Sequence, residues 1–166
     1  MKNTKTPFEP MLAKGMRDRD PADKILQLRV LDQIRSIFER YGYLPLETPL
    51  VERDDVLKAK FSVGEETDVS KEIFSVTDQG KRKLGLRFDL TIPLCRYIAM
   101  NPTVKLPFKR YAMGKVFRDG PIKLGRYREF WQADADIIGA PGVLADAEGV
   151  MMALELFQAL ELDVEV

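Results

Sequence analysis

The chain has 166 residues, 45% of them hydrophobic and 31% charged, with 26 Lys+Arg balanced by 26 Asp+Glu. One domain's length with no net charge is the composition of an ordinary globular protein rather than a basic nucleic-acid binder, so any contact with nucleic acid has to be local. A single cysteine and the absence of histidine exclude an internal disulfide framework and almost every zinc or copper site. Cys95 has no histidine to activate it and lies in the apolar run LTIPLCRYIAM, where it is expected to pack in the core. Nothing near the start resembles a secretory signal, and no apolar run reaches the ~18 residues that cross a bilayer, so the cytoplasm is the expected compartment.

Residues 1–14, MKNTKTPFEPMLAK, show two prolines and little periodicity and read as a loosely held leader. From Asp20 an acidic cap and a proline at the first helical position precede Ile25, Leu28, Leu31, Ile34, Phe38 and Tyr41, an amphipathic spacing that stops at Gly42. Pro45 and Pro49 make YLPLETPLVE an edge or interface segment rather than a central strand. KEIFSVTDQGKRKLGLRFDL then reads as two strands around DQGK, the second ending near Asp89. A short helix follows in LTIPLCRYIAMN, with Thr91 as its possible cap. After Pro141-Gly142 a last helix offers Ala147, Val150, Met151, Leu154, Phe157 and Leu160 as its core stripe, and the closing DVEV starts a strand pattern that stops at once. Helices and hairpins without regular βαβ alternation predict an α+β fold with an antiparallel sheet flanked by helices.

Between these helices PFKRYAMGKVFRD and RYREFWQADADIIG form a hairpin that carries Arg110, Arg118, Arg126 and Arg128. Period-two alternation puts Arg126, Arg128, Phe130, Gln132, Asp134 and Asp136 on one face of its second arm, and Tyr127, Glu129, Trp131, Ala133, Ala135 and Ile137 on the other. A turn centred near Ile122 sets position 118 opposite 126, adding Arg118 to the polar face, and sets Gly114 opposite Phe130 to leave a slot for a flat ligand. Guanidinium groups aimed into one cleft suit a phosphate, a ring beside them can stack a nucleobase, and acids further along suit a cationic second substrate. That combination fits adenylyl transfer, which needs alignment and charge neutralisation rather than a protein nucleophile. Spacing alone leaves a second reading open, in which the same charges form weak surface pairs without chemistry.

These segments, in this order, resemble the class II aminoacyl-tRNA synthetases, and among them the histidyl-tRNA synthetase family. KGMRD at Lys14–Asp18 is similar to the family's opening signature, and the helix from Pro21 into YGYLPLETPLVE resembles the first motif, with Pro49 at its proline position. GEETDVSKEIF resembles the stretch before the substrate loop, LRFDLT the loop itself, and FRDGPIKLGRYREFWQADADIIG the second motif. Residues 15–166 would thus be part of a catalytic domain, its third motif and the anticodon-binding domain having no counterpart here. The resemblance implies activation of histidine with ATP and magnesium, transfer to tRNA(His), and a homodimer formed through Pro21 to Pro49. It implies that Arg118 is catalytic, gripping the α-phosphate and the substrate carboxylate, and that Arg126 and Phe130 contact the nucleotide. Asp119 joins the ATP contacts as the nearby acid in a turn where many relatives carry a glutamate close to the position of Gly120. Asp89 and Thr91 would hold the α-amino group, and Gln132 and Asp136 the rest of histidine. No metal site built from protein side chains alone is implied. By itself this length of chain is expected to bind substrates in part and to be inactive or weakly active. The alternative is a non-charging, histidine-binding relative, like the regulatory subunit of ATP phosphoribosyltransferase.

Overall fold

A computed structural model describes residues 9–59 and 70–164. Residues 1–8 of the leader, 64–69 of GEETDVSKEIF and 165–166 of DVEV lie outside the described residues. Helix α1 spans Pro21–Arg40. The Asp20 carboxylate accepts the Asp23 N–H at 2.8 Å, satisfying one of the free donors of the first turn. Gly42, at φ +78°, ends the helix by taking the left-handed conformation that glycine adopts without steric cost.

Two three-stranded sheets follow. In one, β2 (Val51–Arg53), β4 (Lys83–Leu86) and β3 (Ser75–Thr77) run antiparallel in that order. The other is built on a hairpin of ten-residue strands, β5 (Phe108–Phe117) and β6 (Glu129–Ile138), with the two-residue β1 (Leu44–Pro45) laid parallel along its edge. The expected α+β architecture is present, with this one parallel pair added. Pro45 sits at the sheet edge, where its missing N–H takes nothing from a ladder.

The hairpin's odd-numbered face makes the larger core. Tyr111, Met113, Ala135 and Ile137 pack on Ile34, Ile37 and Phe38 of α1, on Tyr43, and on Met152 of α4 (Leu144–Ala159). Only the second half of the α1 stripe is used, since Ile25 and Leu28 are about half exposed. A smaller core joins Leu57 of α2 (Asp54–Lys58) to Ile73, Phe88 and Ile92, the last on α3 (Thr91–Met100). The buried Glu52 anchors α3 to β2 through the Arg96 guanidinium, with N–O distances of 2.7–3.2 Å.

Three side-chain expectations are corrected. Cys95 is exposed, because the buried residues of α3 are Ile92, Pro93 and Leu94. On α4, Met152 is buried and Leu156 and Leu160 pack beside it, while Val150, Met151 and Leu154 of the expected stripe are exposed. Apolar residues surround both helices, so periodicity has no polar face to locate. On α4 the orientation follows Glu148 and Glu155, which pair with Lys109 and Arg40. Finally, α3 is capped by Asp89, whose Oδ1 accepts the Ile92 N–H at 2.9 Å, and not by Thr91, its exposed first residue.

The hairpin register differs from the expected one by two residues: Gly114 lies opposite Gln132, and Phe130 opposite Val116. An even shift keeps every side chain on its expected face. The connection is long and carries its own small bridge between Lys123 and Arg126, so no tight turn at Ile122 sets the pairing. Gly114 leaves no open slot either, since a Cβ there would stand 2.2 Å from Arg87 NH2. That guanidinium is buried and donates to the Lys115 and Thr48 carbonyls at 2.8 and 2.9 Å. Gly114→Ala is expected to push Arg87 off these carbonyls and to lower stability by about 2–3 kcal/mol, the scale of charged hydrogen bonds left unmade in the interior. A urea melt measures it, and a midpoint equal to the parent's would mean that Arg87 holds nothing in place.

Candidate functional site

The hairpin's even-numbered face collects the polar side chains, and its four arginines meet four different environments. Arg110, on β5 directly opposite Asp136, is fully buried, and its NH2 lies 3.0 Å from the Leu90 carbonyl and 2.7 Å from Asp136 Oδ2. The contact with Asp136 is an ion pair that is too poorly aligned to be a hydrogen bond, and Arg110 Nε and NH1 have no hydrogen-bond partner among the described residues. Arg118 follows the end of β5. Its guanidinium carbon lies 4.3 Å from the centre of the Phe88 ring and 5.0 Å from that of Phe130, and its Nε is 3.4 Å from the Phe88 carbonyl. Aromatic faces attract a cation without neutralising it. Among the described residues no carboxylate pairs with Arg118, whose close contacts there are the two rings and the Phe88 carbonyl.

Arg126 and Arg128 are engaged elsewhere. Arg126 lies outside the ladder, in the connection, exposed and paired with Glu72 at 3.1 Å. Arg128 closes that connection on itself, reaching Asp119 at 3.0 Å and the Gly120 carbonyl at 3.2 Å. The Asp119 N–H donates to the Glu72 carbonyl at 2.7 Å, and a Cβ on Gly120 would stand 2.8 Å from the Glu72 carboxylate. Glu72 thus brings a carboxylate against Gly120, beside the turn's own acid, Asp119. The segment Lys14–Asp18 also docks here: the Arg128 N–H donates to the Gly15 carbonyl at 2.9 Å, and Arg17 lies over the Tyr127 ring at 4.2 Å.

The predicted site residues therefore fall into groups. Arg118 and Phe130 touch, and the Phe88 carbonyl links Arg118 to the turn that bears the buried Asp89. Asp89, Asp134 and Asp136 all act on the Arg110 guanidinium, the expected acidic end of the face. Gln132 lies between these groups, opposite Gly114, with its Oε1 buried and without a hydrogen-bond partner among the described residues. Thr91 is apart, lining a cleft of about 580 Å³ between α2 and α3 with Val56 and Cys95. Sequence reasoning missed the parts played by Glu72, Arg87 and Phe88. Arg87 and Phe88 lie in the substrate-loop segment LRFDLT and Glu72 in the stretch before it, which was the available signal; their partners are distant in the chain, so adjacency gave none of the contacts.

Burial holds the Asp134 carboxyl above the usual carboxylate range; Arg110 pulls it back, and Asp136 and Asp89 push it further up. Burial lowers the Arg110 guanidinium from its ordinary value, and the same acids oppose that shift. A carboxyl whose pKa is higher folded than unfolded stabilises the fold below its unfolded value and loses that contribution as pH rises through the folded one. Asp134→Asn is therefore expected to melt at a higher temperature than the parent at pH 7, with the gap closing below about pH 4, near the unfolded value. A lower melting temperature at pH 7, or a gap that does not change with pH, would contradict this.

Residues 15–166 match the family model described as Histidyl-tRNA synthetase. A curated histidine–tRNA ligase 1 of Bacillus anthracis is 50% identical over 153 residues, which are 92% of this chain and 36% of that protein. The chain thus spans about a third of the length of the curated relatives it matches. A solved histidyl-tRNA synthetase from Nostoc superposes with a TM-score of 0.75 at 35% identity, over 90% of this chain and 34% of that one. An ATP phosphoribosyltransferase regulatory subunit/histidyl-tRNA synthetase from Bacillus halodurans reaches a TM-score of 0.82 over 96% of this chain and 40% of that one; at 24% identity it speaks to the fold alone.

Proposed function

The chain belongs to the histidyl-tRNA synthetase family, and on that premise we propose that its hairpin face is part of a class II adenylation site, in which histidine and ATP lie end to end. The observation that carries the reading is the Arg118 guanidinium, set against the Phe88 and Phe130 rings beside the turn of Asp89 and paired with no carboxylate among the described residues. From Phe130 to Asp136 the strand covers six residues at ~3.4 Å each, roughly 20 Å, room for a nucleotide and an amino acid in line. Adenine stacks on Phe130. Arg118 binds the α-phosphate between the two ends, and Asp89, Gln132 and Asp136 receive the α-amino group and the imidazole.

The reaction needs alignment above all. A carboxylate oxygen of histidine attacks the α-phosphorus, the bond to the β-phosphate oxygen breaks, and pyrophosphate leaves with that electron pair. Arg118 offsets the negative charge that gathers on the α-phosphate and draws the two anionic reactants together, an electrostatic role requiring no protein nucleophile. Among the described residues no group of three His, Cys, Asp or Glu side chains could hold a metal ion. Magnesium would arrive on the triphosphate.

Arg126 and Asp119 join the nucleotide site only by leaving Glu72 and Arg128, their partners here. Thr91 lines a different cleft, which makes Asp89 the stronger candidate for the α-amino group. Transfer of histidine to tRNA(His) belongs to the longer relatives, and this length alone charges tRNA weakly or not at all. A homodimer through Pro21 to Pro49 is supported by exposed Ile25, Leu26, Leu28 and Leu44 in that stretch. No helix among the described residues is long and apolar enough to cross a membrane.

The non-charging alternative, a histidine-binding regulatory relative, has no use for an α-phosphate arginine. ATP titration by calorimetry separates the two. Binding of ATP by the parent, weakened about 10–100-fold by Arg118→Ala, is expected from the loss of charged hydrogen bonds to a phosphate. Histidine binding with no ATP binding would favour the regulatory reading and overturn this one.

A further inference from the structure

Arg110 is the largest fully buried side chain among the described residues, and the hairpin reading gives it no task. It faces away from solvent behind the acidic end of the polar face, opposite Asp136 in the ladder and diagonal to Asp134. One nitrogen, NH2, makes both of its close contacts: the Leu90 carbonyl at 3.0 Å and Asp136 Oδ2 at 2.7 Å. Leu90 directly follows Asp89, whose carboxylate is fixed in turn by the Ile92 N–H at 2.9 Å. A single buried cation therefore joins strand β6, which carries Asp136, to the turn that carries Asp89.

A buried ion pair is a poor device for stability, because desolvating both charges offsets most of their attraction, and an apolar side chain of similar volume often serves the fold as well. What the pair supplies is position. Without it, an Asp136 carboxylate that is 29% exposed could turn toward water, and the Leu90 carbonyl would lose its partner.

We propose that Arg110 is a specificity-determining positioning residue, which fixes the Asp136 carboxylate and the Asp89 turn in one mutual geometry so that both acids meet the same amino acid. The inference rests on the reading of this face as the histidine end of the site. Arg110 itself touches no substrate. Asp134 completes the arrangement as a third acid near the same guanidinium, its carboxyl held above the usual carboxylate range by burial.

The test is calorimetric titration of this chain with L-histidine and, separately, with ATP, for the parent, Arg110→Met and Arg110→Lys, each below its melting temperature as read by circular dichroism. Arg110→Met is expected to weaken histidine binding about tenfold or more, the scale of one lost charged contact, and to leave ATP binding within about twofold, since Arg118 and Phe130 lie at the other end of the face. Arg110→Lys keeps one ammonium for the two contacts that NH2 makes and is expected to recover most of the loss. A merely structural role would lower the melting temperature while leaving histidine affinity at the parent's value.

Should Arg110→Met fail to fold, the cycle of Arg110→Gln, which removes the charge, with Asp136→Asn decides. The affinity that Arg110→Gln loses has to shrink to nothing in the Asp136→Asn background, and additive losses or no loss at all overturn the proposal. If the parent binds histidine and Arg110→Met binds it equally well, the positioning role alone is wrong. If the parent binds no histidine at all, the reading of the site falls and this inference falls with it.

Discussion

The antiparallel ladder between β5 and β6 constrains everything else in this protein. It runs from Phe108 opposite Ile138 to Phe117 opposite Glu129 without interruption. Alternation along it sorts the residues into two populations with opposite solvation needs. Tyr111, Met113, Ala135 and Ile137 go to the helices, where burial of apolar area is favourable. Arg110, Gln132, Asp134 and Asp136 go to the other face with Phe130. A slip of one residue would carry the charges into the core and the apolar side chains out of it, so hydrophobic burial on one face fixes the polar geometry on the other.

That polar face is organised by graded compensation of charge. At one end Arg110 is surrounded by acids and cannot act as a free cation. At the other, Arg118 lies against two aromatic rings and, among the described residues, pairs with no carboxylate. Between them the Phe88–Leu90 turn touches both, through the Phe88 carbonyl at Arg118 and the Leu90 carbonyl at Arg110. One short segment therefore sets the distance between an anion-binding end and a cation-binding end. A ligand that carries both kinds of group, as an amino acid beside a nucleotide does, fits such a face better than either group alone.

Much of this was legible in the sequence because it rests on local rules. The Asp20-Pro21 start of α1, its stop at Gly42, the edge character of Pro45, the DQGK hairpin and the two faces of β6 each follow from residues next to one another in the chain. What escaped depends on distant partners. Gly114 read as an open slot because Arg87, which fills it, lies on another strand's continuation. Cys95 and the α4 stripe were misassigned because both helices are apolar on several faces, leaving the choice of face to tertiary contacts such as Glu148 with Lys109. Thr91 looked like a cap by residue type, yet the buried Asp89 two residues earlier already accepts the Ile92 N–H. Arg126 was assigned to the strand face by counting, while the connection there has a bridge of its own.

The central claim is that the two ends of this face belong to one ligand. Binding of a non-hydrolysable histidyl-adenylate, the sulfamoyl analogue, tests it most directly when measured by calorimetry against histidine alone, ATP alone and the phenylalanyl analogue. The account predicts that the histidyl analogue binds at least about tenfold more tightly than either separate substrate, because joining two bound groups makes the second contact intramolecular, and that the phenylalanyl analogue, lacking ring nitrogens for Asp136, loses most of that gain. Equal affinity for the two analogues, or no advantage over ATP, would contradict a shared site.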